Sequence, residues 1–338
     1  MILYDEEDTV SLEAYGIQIP VHKSKAAKTL EVLRSHPVLG PKAREWQVQT
    51  RPMDITRQDL LRAHAPEYLD RLFSDQVEQE VLKTYELVGD DGSYHRYDPE
   101  KAQHPLADVL LRTLDRLAGT VQCCRIALQT GFCFYLGGGM HHAHRDQGKG
   151  FCLLNDIVIA LRKLQYEGEI ATAWVIDVDA HKGDGTAALT RSDPSIATLS
   201  VHMAEGWPLD EPRVMADGAA NPSFVPSDID IPVASGEEGR YVQRLEAGLK
   251  TLDELSSPDL ALVVSGADPY EMDELESASG LALSLEQLLD RDLVIARFLQ
   301  ERSIPQACLM SGGYGPQTWR VYARFLEKIL LDRSYETS

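Results

Sequence analysis

Short apolar runs alternate with longer stretches of helical spacing over most of the chain. The apolar runs stand at residues 132–136, 173–178, 197–201, 260–264 and 306–310. Stretches with apolar residues at helical spacing lie between them, at 155–167, 239–255 and 285–302. Strands that alternate with helices are typical of βαβ units, so the pattern predicts an α/β fold with a mostly parallel central sheet.

The N-terminal part of the chain has a different pattern, with helical spacing and few strand-like runs. It predicts helices at 24–34, 57–73 and 106–128, and a turn at Asp90-Asp91-Gly92-Ser93. No repeat and no low-complexity tract interrupts the chain. We therefore expect one domain that covers residues 1–338.

Composition narrows the classes of function. The net charge of −20 disfavours direct binding of nucleic acid, which needs a cationic face. Such a charge would attract lysine-rich partners, although it also serves solubility. The five cysteines form no C-x-x-C pair, and neither a signal peptide nor a long apolar span is visible. These features predict a cytoplasmic protein with reduced thiols and no membrane contact.

Polar residues suited to chemistry follow each of the five apolar runs. They are His141-His142, Asp179-x-His181, His202, Asp268 and Tyr314. Ligands of open parallel sheets bind beyond the carboxyl ends of the strands. The sequence therefore predicts that these five segments meet in one crevice.

Two of these segments have the composition of a metal site. Alternation along a strand end places Asp177, Asp179 and His181 on one side, and Asp268 ends another predicted strand. Two carboxylates and one imidazole leave coordination positions for water and substrate, as a catalytic metal requires. In isolation, the same residues would be equally consistent with a polar strand end that caps its neighbours.

Two glycine-rich segments complete the set of candidates. Gly137-Gly138-Gly139-Met140-His141-His142 offers tandem histidines as bases and lacks the ending of a phosphate-binding loop. Ser311-Gly312-Gly313-Tyr314-Gly315 could present a tyrosine hydroxyl to a developing oxyanion. The alternatives are an ordinary loop and a tyrosine that only packs.

Taken together, these motifs resemble the histone deacetylases of the arginase/deacetylase superfamily. The segments G-G-G-M-H-H, G-F-C-L-L-N-D, D-V-D-A-H-K-G-D-G, L-S-V-H, S-G-A-D and S-G-G-Y stand in the family's order, and R-A-H-A-P-E-Y-L resembles its N-terminal signature. S-G-G-Y and G-L-A-L-S are most similar to the class IV branch. The resemblance implies a three-layer α/β/α fold and one deacetylase-like catalytic domain over residues 1–338.

The resemblance also implies a role for each catalytic residue. Asp179, His181 and Asp268 would hold one zinc ion, and Tyr314 would donate to the oxyanion. The implied general base is His142 oriented by Asp184, and its implied electrostatic partner is His141 paired with Asp177.

Further roles follow for the substrate tunnel and for a second ion. Phe151 and Trp207 would wall the tunnel, the Gly150 carbonyl would accept the substrate amide hydrogen, and Leu275 would stand at the mouth. The implied structural potassium ion would use groups around Asp177, Asp179, His181, Ser200 and Val201. Three positions, Lys182, Met140 and Asp98, are less typical of the family. At Asp98 we expect a plain turn.

The implied reaction is hydrolysis of N6-acyl-lysine in proteins or peptides, and three rivals stay open. The first is an amidohydrolase of small acetylated amines or polyamines that uses the same site. The second is a non-catalytic module that binds acyl-lysine. The third is an arginase-like ureohydrolase, which Gly183 and Gly266 oppose because they stand where dinuclear enzymes carry aspartates.

Overall fold

Eight strands form one sheet, and every strand pairing among the described residues is parallel. The structure is a computed structural model that describes residues 1–6, 10–21, 24–89, 91–209, 213–215, 217–221 and 223–336. The strands are β1 (Ile2–Tyr4), β2 (Gln47–Gln49), β3 (Phe132–Tyr135), β4 (Ala173–Asp177), β5 (Ile196–Met203), β6 (Ile229–Val233), β7 (Leu260–Val264) and β8 (Gln306–Leu309). Their spatial order is β2-β1-β3-β8-β7-β4-β5-β6.

Helices cover both faces of this sheet. They are α1 (Ser24–Ser35), α2 (Ala43–Trp46), α3 (Arg57–Leu60), α4 (Pro66–Leu72), α5 (Val77–Thr84), α6 (Val109–Thr130), α7 (Asp156–Tyr166), α8 (Asp184–Thr190), α9 (Tyr241–Leu255), α10 (Leu285–Glu301) and α11 (Trp319–Glu336). In the part of the chain that the structure describes, no helix has the length and apolar character needed to cross a membrane.

The alternation of side chains along the central strands creates two cores. In β7, Leu260, Leu262 and Val264 pack on one face with residues of α6 and α7. Ala261 and Val263 point to the other face, where residues of α9, α10 and α11 pack against them. Because each buried strand supplies both cores, its sequence is continuously apolar. The predicted three-layer α/β/α architecture is confirmed.

The five predicted strands are confirmed as β3, β4, β5, β7 and β8, with small shifts at their ends. Three further strands, β1, β2 and β6, were not predicted. β1 and β2 have only three residues each, and β2 and β6 lie at the two edges of the sheet, where fewer apolar side chains are needed. Apolar pattern alone does not separate them from loops.

The predicted helix at 57–73 is wrong as a single element. It is divided into α3 and α4, because Ala65 has extended backbone and Pro66 begins a new helix. The helices predicted at 24–34 and 106–128 correspond to α1 and, after a short 3-10 turn, to α6. Of the predicted turn at 90–93, Asp90 lies outside the described residues, and Gly92 has the positive φ of a turn residue.

The sheet order explains how distant segments meet. β3, β8, β7 and β4 are consecutive neighbours, so the segments that follow them leave the sheet side by side. The prediction that β5 adds His202 to the same crevice is wrong. His202 is buried with its Nδ1 2.7 Å from the Met203 carbonyl oxygen, and it does not line the cavity described below.

A buried arginine fixes the spacing of two of these strand ends. Arg291 of α10 has no exposed surface. Its Nη1 donates to the carbonyls of Val178, at 3.0 Å, and Gly266, at 2.8 Å. Its Nε donates to Asp292 at 2.8 Å, which balances the charge. Arg291 therefore ties the segment after β4 to the segment after β7.

Replacing this arginine should destabilise the fold strongly. Arg291→Ala leaves the Asp292 carboxylate and two carbonyls buried without their donor, and we expect the free energy of unfolding to fall by about 3–5 kcal/mol. Urea denaturation in the presence of EDTA measures the change. Arg297→Ala, at an exposed position of the same helix, is the control and should change stability by less than about 0.5 kcal/mol. Equal effects of the two variants would contradict this account of Arg291.

Candidate active site

A cavity of about 480 Å³ opens beyond the carboxyl ends of β3, β4, β7 and β8. Each of the four segments that follow these strands contributes lining residues. They include Gly137–His142 after β3, Asp179 and His181 after β4, Leu275–Ser277 after β7 and Ser311–Tyr314 after β8. The cavity thus lies where a parallel sheet places its ligands.

Asp179, His181 and Asp268 form one buried group, of which Asp179 and His181 line this cavity. One potential ligand atom from each lies within 4.8 Å of the others. The Nδ1 atom of His181 is 2.9 Å from Asp268 Oδ2 and 3.2 Å from Asp179 Oδ1. His181 Nε2 faces away, at 3.3 Å from Ser277 Oγ, so Nδ1 is the ring atom available to a shared ion.

The chemistry of this group fits a divalent metal. Burial and the neighbouring Asp179 carboxylate raise the pKa of Asp268, and a cation between the two carboxylates would relieve their repulsion. Space for the carboxylates depends on glycine, because a Cβ at Gly266 would collide with Asp179 and one at Gly312 would contact Asp268 at 2.8 Å. Within the described residues, no second group of three such side chains is found.

Two histidine–aspartate pairs lie next to the metal-binding group. His141 Nδ1 is 2.7 Å from Asp177 Oδ2, and His142 Nδ1 is 2.7 Å from Asp184 Oδ1. The two imidazole rings are in contact, with centroids 3.9 Å apart. All four side chains are buried, so their mutual interactions are weakly screened.

The two pairs differ in their affinity for protons. Burial opposes the charged form of His141, but the carboxylates of Asp177 and Asp179 raise its pKa to about 9. Burial and the charge of His141 lower the pKa of His142 to about 3, despite the Asp184 carboxylate beside it. One imidazole is therefore held protonated, while the other stays neutral and able to accept a proton.

Asp184 has two further partners that the sequence analysis missed. Lys149 Nζ lies 2.6 Å and His144 Nε2 3.1 Å from Asp184 Oδ2. Although burial would raise the pKa of Asp184, its bonds to His142 and His144 hold the pKa well below the usual range. Lys149 directly precedes Gly150 in sequence, but nothing in that local pattern indicates a contact with Asp184.

Tyr314 lies on the Ser311–Gly315 turn and lines the cavity with Asp179 and His181. Burial, together with the nearby Asp268 carboxylate, raises the pKa of Tyr314 well above its ordinary value. The phenol therefore keeps its proton at neutral pH. It can act as a hydrogen-bond donor to an oxygen that becomes negative.

The predicted tunnel residues also line this cavity. The Phe151 ring is 6.3 Å from the Tyr314 ring, and the Trp207 ring is 4.5 Å from His142 and 5.4 Å from His181, measured between centroids. Gly150 and Leu275 complete the set. Of the predicted catalytic, metal-binding and tunnel residues, all line the cavity except Asp177, Asp184 and Asp268, and each of these three contacts a histidine that lines it.

Two of the residues expected around a potassium ion are adjacent across two strands. Asp177 of β4 is paired in register with Ser200 of β5. Ser200 Oγ is buried and has no hydrogen-bond partner among the described residues. An unpartnered buried oxygen next to a carboxylate is suited to a monovalent cation.

The three atypical positions take different roles. Lys182 is buried and pairs with Asp230 at 3.0 Å, pointing away from the cavity. Met140 lines the cavity. Asp98 caps a short 3-10 helix by accepting from the Glu100 amide at 3.1 Å, which agrees with the expected turn.

Two residues near Tyr314 were also missed. Lys25 donates to the carbonyls of Ser311, Gly312 and Gly313, and Asp273 accepts the amide hydrogen of Tyr314. Lys25 belongs to a helix far away in sequence, so no local pattern could have indicated its position. Asp273 stands in the segment Asp273-Glu274-Leu275, where the only signal was its closeness to Asp268.

Comparisons with known proteins identify the family of this chain. A family model described as "Histone deacetylase domain" matches residues 19–329. Histone deacetylase 2 of Arabidopsis thaliana is 25% identical over 328 residues, covering 97% of this chain and 78% of that protein. An uncharacterized protein of Picosynechococcus is 32% identical over 209 residues, which cover 62% of this chain. The match spans 64% of that protein, which is less than two thirds of the length of that relative.

A solved structure supports the fold. The crystal structure of an HDAC homolog complexed with SAHA superimposes with a TM-score of 0.71 at 20% identity, covering 97% of this chain and 83% of that chain. The predicted likeness to the class IV branch stays a prediction. The family match spans nearly the whole chain and includes every segment of the cavity described above, so this chain belongs to the histone deacetylase family, whose members are metal-dependent, and is a hydrolytic deacetylase with a buried Asp-His-Asp group that could bind a metal ion.

Proposed function

We propose that this enzyme is a zinc-dependent lysine deacylase that hydrolyses the amide of N6-acyl-lysine in proteins or peptides. One observation carries the proposal. A buried Asp-His-Asp group, two adjacent histidine–aspartate pairs and a buried phenol meet at one cavity. Hydrolysis of an amide needs these functions together: an electrophile, a base, an acid and an oxyanion donor.

Asp179, His181 and Asp268 are the proposed ligands of one zinc ion. Two carboxylates and one imidazole leave positions open, which distinguishes a catalytic site from a closed structural one. A zinc ion held there would polarise the acyl carbonyl and lower the pKa of a bound water from about 15.7 toward about 7. The proposed potassium ion, beside Asp177 and Ser200, would have a structural role.

His142 is the proposed general base. Its Nδ1 is engaged with Asp184, so Nε2 is the atom left to take a proton from the attacking water. Trp207 covers one side of the His142 ring and limits its access to bulk water. His141 next to it carries the positive charge, and its contact with Asp177 fixes the ring.

The remaining steps use Tyr314 and the histidine pair. The Tyr314 hydroxyl donates a hydrogen bond to the oxygen that becomes negative when water adds to the carbonyl carbon. A protonated histidine then gives a proton to the leaving lysine nitrogen as the carbon–nitrogen bond breaks. The products are a free lysine side chain and a carboxylate.

The walls of the cavity favour the aliphatic stem of an acylated lysine. Phe151, Trp207 and Leu275 offer apolar surface to the methylene groups, and the Gly150 carbonyl is the proposed acceptor for the amide hydrogen. The proposed partners are acylated peptides or proteins, with no direct contact to nucleic acid or membrane. We further propose that residues 1–338 act as one catalytic domain in the cytoplasm.

A second candidate function uses the same chemistry on small acetylated amines or polyamines. Glu276 lines the cavity beside Leu275 and could pair with a distant ammonium group of such a substrate. Leu275 itself is 6% exposed and supplies no charge, and burying an ammonium without a partner is costly. A non-catalytic binding module is disfavoured, because every group that the reaction needs is present.

Removing the Tyr314 hydroxyl should reduce turnover while leaving the metal in place. We expect Tyr314→Phe to lower kcat by about 100- to 1000-fold on an acetyl-lysine peptide, the usual effect of losing one oxyanion donor. Tyr270→Phe is the matched control, because among the described residues the hydrogen bond of this hydroxyl is to the Met272 sulfur, at 3.5 Å. Steady-state kinetics with metal analysis checks both; near wild-type kcat for Tyr314→Phe would refute the oxyanion role.

Substrate choice should depend on the apolar residue at position 275. The wild-type enzyme should have a higher kcat/KM for an acetyl-lysine peptide than for N8-acetylspermidine, because Leu275 cannot pair with a second ammonium. Leu275→Glu should shift the ratio toward the polyamine by about 10-fold or more, as expected for a partly desolvated ion pair. Leu255→Glu, at an exposed site outside the cavity, is the control. A wild-type preference for the polyamine would favour the second candidate.

A further inference from the structure

The residues of the turn that carries Tyr314 do not determine its backbone conformation by themselves. Residues 310–314 lie outside helix and strand, and Ser311, Gly313 and Gly315 have φ values of 53°, 126° and 90°. The glycines allow this backbone but also allow many others. An oxyanion donor must be fixed before the reaction begins, so contacts from outside the turn have to select this conformation.

Several side chains from other parts of the chain hold the turn, and one of them is Asp179, whose Oδ2 accepts the Gly312 amide hydrogen at 3.2 Å. Lys25 donates to the carbonyls of Ser311, at 2.8 Å, and of Gly312 and Gly313, both at 3.3 Å. Tyr322 donates to the Gly312 carbonyl at 2.7 Å. Within the described part of the chain, the hydrogen bonds that these two side chains make to the turn all go to carbonyls that precede Tyr314.

Asp273 differs because it binds the backbone of Tyr314 itself. Its Oδ2 accepts the Tyr314 amide hydrogen at 2.6 Å. In the return direction, the amide of Glu274 donates to the Tyr314 carbonyl at 3.3 Å. The peptide groups on both sides of the Tyr314 Cα are therefore fixed to the 273–274 segment, which limits where the phenol can point.

The same carboxylate also fixes the wall of the cavity. Asp273 Oδ1 accepts the amide hydrogen of Leu275 at 2.9 Å. Asp273 follows the proposed ligand Asp268 by a short loop, and the Asp268 carboxylate in turn accepts the Ala180 amide hydrogen at 2.9 Å. One carboxylate therefore links the oxyanion donor to the segment that carries both a proposed metal ligand and the cavity wall.

We propose that Asp273 is a positioning residue that holds the Tyr314 hydroxyl in register with the Asp-His-Asp group by binding the backbone amides of Tyr314 and Leu275. This inference rests on the proposed function, in which Tyr314 is the oxyanion donor. Asp273 does not touch the substrate. Its loss acts through Tyr314, because a displacement of about 1 Å in a catalytic group can cost up to about 100-fold in rate.

A double-mutant cycle on the full-length, metal-loaded enzyme tests this inference. Asp273→Asn replaces one carboxylate oxygen by an amide that cannot accept from Tyr314 and Leu275 together. We expect kcat for an acetyl-lysine peptide to fall by about 10-fold or more with little change in bound metal. In the Tyr314→Phe background, where no hydroxyl is left to position, the same change should alter kcat by less than about two-fold.

The controls separate positioning from general damage. Glu271→Gln removes a neighbouring exposed carboxylate and should leave kcat unchanged. Asp273→Ser is a smaller second variant that replaces Asp273→Asn if the latter fails to fold, as judged by circular dichroism and thermal unfolding.

The outcomes distinguish this inference from the proposed function. An equal loss of kcat in both backgrounds, or no loss in either, would overturn the positioning role and leave the oxyanion role of Tyr314 intact. Wild-type kcat in Tyr314→Phe alone would overturn the proposed function itself, and the role of Asp273 with it. A loss confined to the Tyr314 background supports both.

Discussion

The structure depends on the burial of several charged groups at the carboxyl edge of its sheet. Asp179 and Asp268 are each 1% exposed, and His181 Nδ1 lies between their carboxylates. Burying such groups is costly unless each is paired or bound to a metal. The surrounding fold accommodates these carboxylates in three ways. Arg291 sets the spacing of the strand ends, and Gly266 and Gly312 leave room for the two side chains. Backbone amides donate hydrogen bonds to the carboxylates.

The buried catalytic groups also need support from motifs that do not reach the centre of the cavity. Asp156 accepts the amide hydrogens of Gly139, at 3.0 Å, and Met140, at 2.6 Å, and so shapes the loop that presents the tandem histidines. His64 accepts from the Asn155 amide at 3.0 Å, and its other ring nitrogen is 2.8 Å from the His144 carbonyl oxygen. The segments R-A-H-A-P-E-Y-L and G-F-C-L-L-N-D are therefore supports for the catalytic loop.

The apolar pattern was sufficient to predict the five buried strands and the polar segments that follow them, because buried parallel strands are continuously apolar and their polar ends are easy to locate. The three layers and the tunnel residues were predicted from the resemblance to the histone deacetylases. The sequence was not sufficient for contacts between distant segments. Lys149 on Asp184, Lys25 on the 311–313 carbonyls and Arg291 between two strands depend on the three-dimensional packing. The edge strands were missed because local pattern carries little information there. The break before Pro66 does have a local signal, the proline itself, but the helical spacing of the apolar residues on both sides outweighed it.

The central claim is that one metal ion in the Asp179–His181–Asp268 group enables hydrolysis of acyl-lysine. The most direct measurement is a titration of metal-stripped enzyme with Zn²⁺, in which acetate release from an acetyl-lysine peptide and bound zinc are measured on the same samples. The account predicts that activity rises in proportion to bound zinc and saturates at one equivalent, and that Asp268→Ala neither binds the ion nor gains activity. Full activity in the metal-stripped enzyme, or saturation only at two tightly bound equivalents, would contradict it.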